Sequence, residues 1–214
     1  MSDPTQGQTA RILSILRSPA ARRIDFILGA WRINALAFEN VTSAIVLGDI
    51  DVFVGTPKGG GEAEYNFKRD ILVVPTAAYG TFITQQSGII HECVHCFLDM
   101  KPIAGQAESA NEAAAYLAGM LYILHTGNPI PPTRHPIGVL AADIAKKMIG
   151  QPGAAVPSTF ESDLRRTIAS SPLYQRHGMT FDSPDRCEGL WRVRALRGRT
   201  DLDMVKLPPN TRLA

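Results

Sequence analysis

Five consecutive residues of this chain, His91-Glu92-Cys93-Val94-His95, are of types and at a spacing that can do chemistry. On a helix, residues four apart lie on one face, so His91 and His95 stand one turn above the other. Two imidazoles so placed can hold one side of a tetrahedral zinc ion. Glu92 adjoins the first histidine and can take a proton from a water at the metal's open position. Two ligands and a base thus fall within five residues. The motif is short enough to arise by chance, and the plain alternative is an amphipathic helix whose histidines share a polar face. The flanks favour a buried active-site helix: Ile89, Ile90, Val94, Phe97 and Leu98 are apolar, and neither variable position in the motif is charged.

Zinc needs a third protein ligand. The next helical stretch, Ser109-Ala110-Asn111-Glu112-Ala113-Ala114-Ala115-Tyr116, offers Glu112, with Glu108 one turn earlier as a rival. Glu112 also has a structural reading, because Ser109-x-x-Glu112 is a capping box whose glutamate would bond back to the cap. Together the two stretches resemble the gluzincin branch of the zincin metallopeptidases. There His-Glu-x-x-His is followed, one connection later, by a helix bearing Asn-Glu. The resemblance covers about residues 60–125. It implies that His91, His95 and Glu112 hold Zn²⁺, with Asn111 beside the third ligand and Glu92 as catalytic base. It also implies an edge strand within residues 63–75 that lies beside the metal and pairs with an extended substrate. Two features depart from the pattern. The connection, residues 96–111, is shorter than in the best-known members, and Tyr116 stands where an aspartate often follows the ligand glutamate. The second leaves open what orients His91.

The expected activity is hydrolysis of a peptide or related amide bond, with a peptide or protein as substrate. Glu92 accepts a proton and later delivers it to the leaving nitrogen. A further donor should meet the oxyanion, and Tyr79, Tyr116, Tyr122, His125, His135, Tyr174 and His177 are the choices. Asp99, one turn after His95, is either an orienter of a ligand imidazole or a helix-end surface residue. Cys93 and Cys96 sit three apart in apolar surroundings and read as small hydrophobes, with a redox pair or thiolate ligation as rivals. An odd total of three cysteines argues against a disulfide scaffold. The alternative function is a non-catalytic zincin-like binding or regulatory domain. A helical structural protein without metal is the blandest reading.

The elements that must position these residues follow from periodicity. Apolar spacing predicts helices over Thr9–Leu16 and Ala20–Phe38. Ile- and Val-rich runs at Ser43–Leu47, Ile50–Val54 and Ala63–Val74 predict a small β-meander, with Thr56–Gly61 as a turn cluster. Lys58 and its glycines make no phosphate loop, because no Lys-Ser/Thr pair follows them. The active helix should run from about Phe82 to Met100, ended by Pro102, and the Glu112 helix from about Ala110 to His125. Ile137–Ile149 and Ser158–Ala169 read as further helices, and residues 171–214 as loops. The whole predicts one α+β domain over residues 1–214, zincin-like by the resemblance. Its core spans about 40–128, with N-terminal helices over 9–38 and a helical and irregular extension over 129–214.

Composition sets outer bounds. The chain has 214 residues, 45% hydrophobic and 20% charged, as in ordinary globular proteins. A net charge of +2 is too small to argue for nucleic acid or an anionic membrane surface. Arg192, Arg194, Arg197 and Arg199 around Trp191 read as a solvated face. No apolar run reaches the roughly 18 residues of a membrane span. The first eight residues lack a basic start and an apolar stretch, so no Sec signal is expected. The expectation is a protein cytoplasmic as synthesised, with signal-independent export left open.

Overall fold

A computed structural model of the chain describes residues 4–58, 62–101, 103, 106–176, 178–184, 187, 189 and 190. In order, the elements are α1 (Pro4–Leu16), α2 (Pro19–Arg23), β1 (Phe26–Leu28), β2 (Trp31–Ile33), α3 (Ala35–Leu47), β3 (Asp51–Val54), β4 (Glu64–Asn66) and β5 (Ile71–Val74). Then come α4 (Ile83–Met100), α5 (Glu108–His125), α6 (Pro136–Met148), β6 (Ala154–Ala155), α7 (Ser158–Ser170) and α8 (Pro172–Gln175). The class is mixed α+β, as expected.

Helices α4 and α5 form the centre. The start of α4 is fixed by Gln85, whose Oε1 accepts the amides of Gly80, Thr81 and Phe82 at 3.1, 3.2 and 3.3 Å. This ties the incoming loop to the first turn, as the glutamine of a capping box does. The two helices cross closely. A Cβ on Gly119 of α5 would lie 2.8 Å from Ser87 Oγ and 3.2 Å from the Ser87 carbonyl of α4. Ala110, Ala113, Ala114, Ala115 and Ala118 are all buried along the rest of α5. Small side chains let two helix axes approach until one ligand from each can share an ion. Ile12, Ile15 and Leu16 of α1 join the same core, which α6 and α7 close through Ile137, Ala141, Ile144, Leu164 and Ile168.

The strands form two three-stranded sheets. One has the order β2-β1-β6, the other β3-β5-β4. In the second, β3 runs parallel to β5 and β4 antiparallel to it, with Tyr65 opposite Leu72. The expected meander is therefore corrected. The chain passes from β3 to the outer strand β4 and returns to β5 between them. That leaves β4 at an edge, beside α4.

Two further expectations are overturned. Ala20–Phe38 is not one helix. After the five residues of α2 the chain makes a hairpin, with Leu28 opposite Trp31 and Gly29 at φ +57° in the turn. Phe26, Leu28, Trp31 and Ile33 are buried while Arg32 is exposed, a period of two hidden in what looked helical. Conversely, Ser43–Leu47 is not a strand but the end of α3. Asn34 caps that helix at one end, its Oδ1 accepting the Ala37 amide at 3.3 Å. Gly48 ends it in the left-handed conformation, φ +72°. Of the β-branched residues there, Ile45 packs into the core while Val46 is exposed, so the two caps and not burial alone keep them helical.

No described helix is long and apolar enough to cross a membrane. The glycine turn 59–61, Pro102, His177 and the arginine stretch around Trp191 lie outside the described residues.

Candidate metal centre

His91 and His95 of α4 meet Glu112 of α5. His91 Nε2 and His95 Nε2 are 3.1 Å apart. Glu112 Oε2 lies 3.5 Å from His91 Nε2, and Glu112 Oε1 lies 3.6 Å from His95 Nε2. A tetrahedral ion with bonds of about 2.0–2.2 Å needs ligand atoms about 3.3–3.6 Å apart. The two glutamate distances fall in that range and the two histidine nitrogens lie slightly closer, so the group can hold a metal ion after a small adjustment. Among the described residues it is the one cluster of metal-ligating side chains, and Glu108 is not part of it. The side chains of His91, His95 and Glu112 are 15–17% exposed, so the centre is half-open and not sealed.

Neighbours hold each member in place. Asn111 Oδ1 accepts from His95 Nδ1 at 2.6 Å. That bond puts the imidazole proton on Nδ1 and leaves Nε2 with its lone pair toward the shared point. His91 has an aromatic neighbour instead. The Tyr116 ring packs edge-on to it, centroids 4.7 Å apart and planes at 81°. Tyr174 of α8 donates its hydroxyl to Glu112 Oε2 at 2.8 Å and lies 3.1 Å from the Tyr116 hydroxyl. The capping-box reading of Glu112 does not hold. The cap of α5 is Ala107, and Ser109 donates its hydroxyl to the Phe181 carbonyl at 2.8 Å. Glu112 is thereby left to face the histidines.

Glu92 sits on the other side. Its Oε1 is 4.0 Å from His91 Nε2, and its Oε2 accepts the Tyr65 amide of β4 at 2.7 Å. Burial pushes the Glu92 carboxyl up to about 7, with Glu112 and Glu64 adding to the rise and His95 and the Tyr65 amide opposing it. Burial is also the largest single influence on Glu112, again upward. There it is outweighed by the charges and hydrogen bonds of His95, His91 and Tyr174, so that carboxyl falls to about 2. Tyr116 is raised to about 12 by burial, so its phenol stays a donor at ordinary pH.

Asp99 is neither a surface residue nor bonded to a ligand imidazole. It is fully buried and accepts from the Tyr65 hydroxyl at 2.9 Å and the Gly189 amide at 3.0 Å. Seven residues after Glu92, it faces the same strand two turns on. Tyr65 therefore holds Glu92 with its amide and Asp99 with its hydroxyl. Of the candidate oxyanion donors, Tyr116 and Tyr174 stand at the centre. Tyr122 is committed to Gln86 Oε1 at 2.9 Å, and Tyr79 donates to Glu62 at 3.3 Å, with burial raising its phenol. His125 lies at the far end of α5 and His135 caps α6.

Cys93 and Cys96 are fully buried, free thiols outside the cluster. Cys187 is engaged differently, accepting from Asn111 Nδ2 at 3.2 Å. Sequence reasoning missed the partnerships of Tyr65 with Glu92 and Cys187 with Asn111. Neither has a local signal, since 27 and 76 residues separate the partners. No family model, curated protein or solved structure matches the chain.

Proposed function

We propose that this protein is a zinc-dependent metallopeptidase of zincin-like, gluzincin-type architecture. The observation that carries the reading is the convergence of His91 Nε2, His95 Nε2 and Glu112 at separations close to those of a tetrahedral site, with the Glu92 carboxylate beside them. Two nitrogens and one carboxylate oxygen suit zinc and leave a fourth position open, as in catalytic sites. Bound there, zinc supplies Lewis acidity and an acidified water.

The chain's own groups supply the rest. Glu92 takes the proton of the attacking water and returns it to the leaving nitrogen. A carboxylate held beside the ligand histidines can perform both steps. The Tyr65 amide orients Glu92 through Oε2. Because that amide points away from β5, the Tyr65 carbonyl lies on the same outer edge of β4. That carbonyl can accept a hydrogen bond from the backbone of an extended peptide. The Asn111–His95 bond supports the reading further, since ligand histidines usually give their second N–H to such an acceptor.

The test is zinc content and peptide cleavage measured together. The purified protein should hold zinc stoichiometrically and cleave members of a mixed peptide library followed by mass spectrometry. Glu92→Gln should keep zinc and the folded state yet lose about 10²–10⁴-fold in rate. An active Glu92→Gln protein would refute the mechanism. Zinc binding with no cleavage of any peptide would favour a non-catalytic binding domain.

A further inference from the structure

The carboxylate of Glu112 presents its two oxygens almost symmetrically. Oε2 is 3.5 Å from one ligand nitrogen and Oε1 is 3.6 Å from the other. Distance alone does not decide whether one oxygen or both would bind an ion. Tyr174 breaks the symmetry, because its hydroxyl donates to Oε2 at 2.8 Å. A phenol has one proton to give. With that proton on Oε2, the hydrogen bond between the two phenols uses the proton of Tyr116, 3.1 Å away. The result is a directed chain from Tyr116 to Tyr174 to Glu112. Its far end is anchored, since the Tyr116 ring also packs edge-on against His91.

The near end is anchored as well. Pro172 opens α8 directly after Ser171, the residue that ends α7. The Tyr174 amide donates to the Ser171 carbonyl at 3.0 Å, and the Tyr174 carbonyl accepts from Met179 at 3.2 Å. Met179 is itself buried. The phenol is thus delivered to the centre by a fixed turn, 62 residues from the carboxylate it holds.

We propose that Tyr174 is a positioning residue of the metal centre: by holding Oε2 it leaves Oε1 of Glu112 as the single coordinating oxygen. The inference rests on His91, His95 and Glu112 binding zinc. The phenol draws charge from Oε2 by a charge-assisted hydrogen bond and makes Oε1 the better ligand. Without it, both oxygens can turn to the ion and the open position is crowded.

The experiment compares the full-length wild type with Tyr174→Phe and Tyr116→Phe. Zinc affinity is measured by chelator competition, coordination by the visible spectrum after cobalt loading, and folding by melting of the metal-free protein. Tyr174→Phe should bind zinc about 10–100-fold more weakly. Its cobalt absorption should weaken, because a second carboxylate bond raises the coordination number. Its metal-free melting temperature should fall only slightly, by the loss of one hydrogen bond. Tyr116→Phe should show the same changes to a smaller degree. A Tyr174→Phe protein with wild-type affinity and cobalt spectrum overturns the proposal. So does a loss of affinity that comes with an unchanged cobalt spectrum, which marks a structural role only. A wild type that binds neither zinc nor cobalt overturns the metal centre itself, and is told apart by its failure before any substitution.

Discussion

Glu92 and Glu112 differ by little that a sequence records. Both are glutamates on long helices, and their side chains are 14% and 15% exposed. Yet one carboxyl rises to about 7 and the other falls to about 2. Burial pushes both upward, so the difference comes from partners. Glu92 meets one backbone amide and the repulsion of Glu112 and Glu64, partly relieved by His95. Glu112 meets both histidines and a tyrosine hydroxyl. On the β4 side of the centre the carboxyl is raised toward its neutral form, and on the α5–α8 side it is held charged. Two titratable groups pushed apart in this way are the usual mark of divided roles.

The contrast is most directly broken at Glu112. Glu112→Ala should abolish stoichiometric zinc, as should His91→Ala, whereas Glu108→Ala should keep wild-type affinity in a chelator competition. Loss of zinc in Glu108→Ala alone would move the third ligand one turn back. Asn111→Ala should come next. Removing the acceptor from His95 Nδ1 frees the tautomer and ring orientation, and zinc affinity should fall about 10–100-fold.

A third measurement sharpens the difference in metal-free protein. Glu92 has a folded pKa above its unfolded value. Its contribution to stability is therefore fully present below about pH 4.5 and lost as pH rises through about 7. Glu112 is depressed, so its contribution is present above about 4.5 and lost only as pH falls through about 2. Above about pH 4.5 only Glu92 of the two changes stability. Wild type should lose roughly 1–3 kcal/mol relative to Glu92→Gln between pH 4.5 and 8 in denaturant titrations. Parallel pH curves for the two proteins would refute the elevated carboxyl. The smallest effect is expected at Cys93 and Cys96. Changing both to Ala should leave zinc affinity and activity within about tenfold and cost roughly 1–2 kcal/mol of stability. Complete loss of zinc would make a thiol a ligand.

The parts of the site that were legible are those within one helical repeat. The α4 helix was expected from about residue 82 to 100 and runs over Ile83–Met100. The α5 helix was expected from about 110 and begins two residues earlier, at Glu108. Errors gathered where short-range signals compete. Phe26–Ile33 carries apolar residues that fit a helix as well as a hairpin, and only Gly29 marks the turn. Ile45 and Val46 favour strands by type, but Asn34 and Gly48 bracket a helix around them. Residues 171–214 read as loops, yet among those described Pro172–Gln175 is helical, and this stretch delivers Tyr174 to Glu112 and the Phe181 carbonyl to Ser109.

The sequence by itself determined that His91 and His95 share one face with Glu92 adjoining it, because the helical period fixes side-chain direction from spacing alone. It also determined that α5 would be lined with small residues able to approach another helix. Only the tertiary structure decided which glutamate meets the histidines and which carboxylate is raised. It alone decided that β4 would turn an amide toward Glu92 while a tyrosine from α8 took Oε2 of Glu112. The physical reason is range. Helical geometry is set by neighbours three and four residues away, whereas a carboxylate's charge state is set by whatever the fold brings within hydrogen-bond distance. Here those partners lie 27 and 62 residues off.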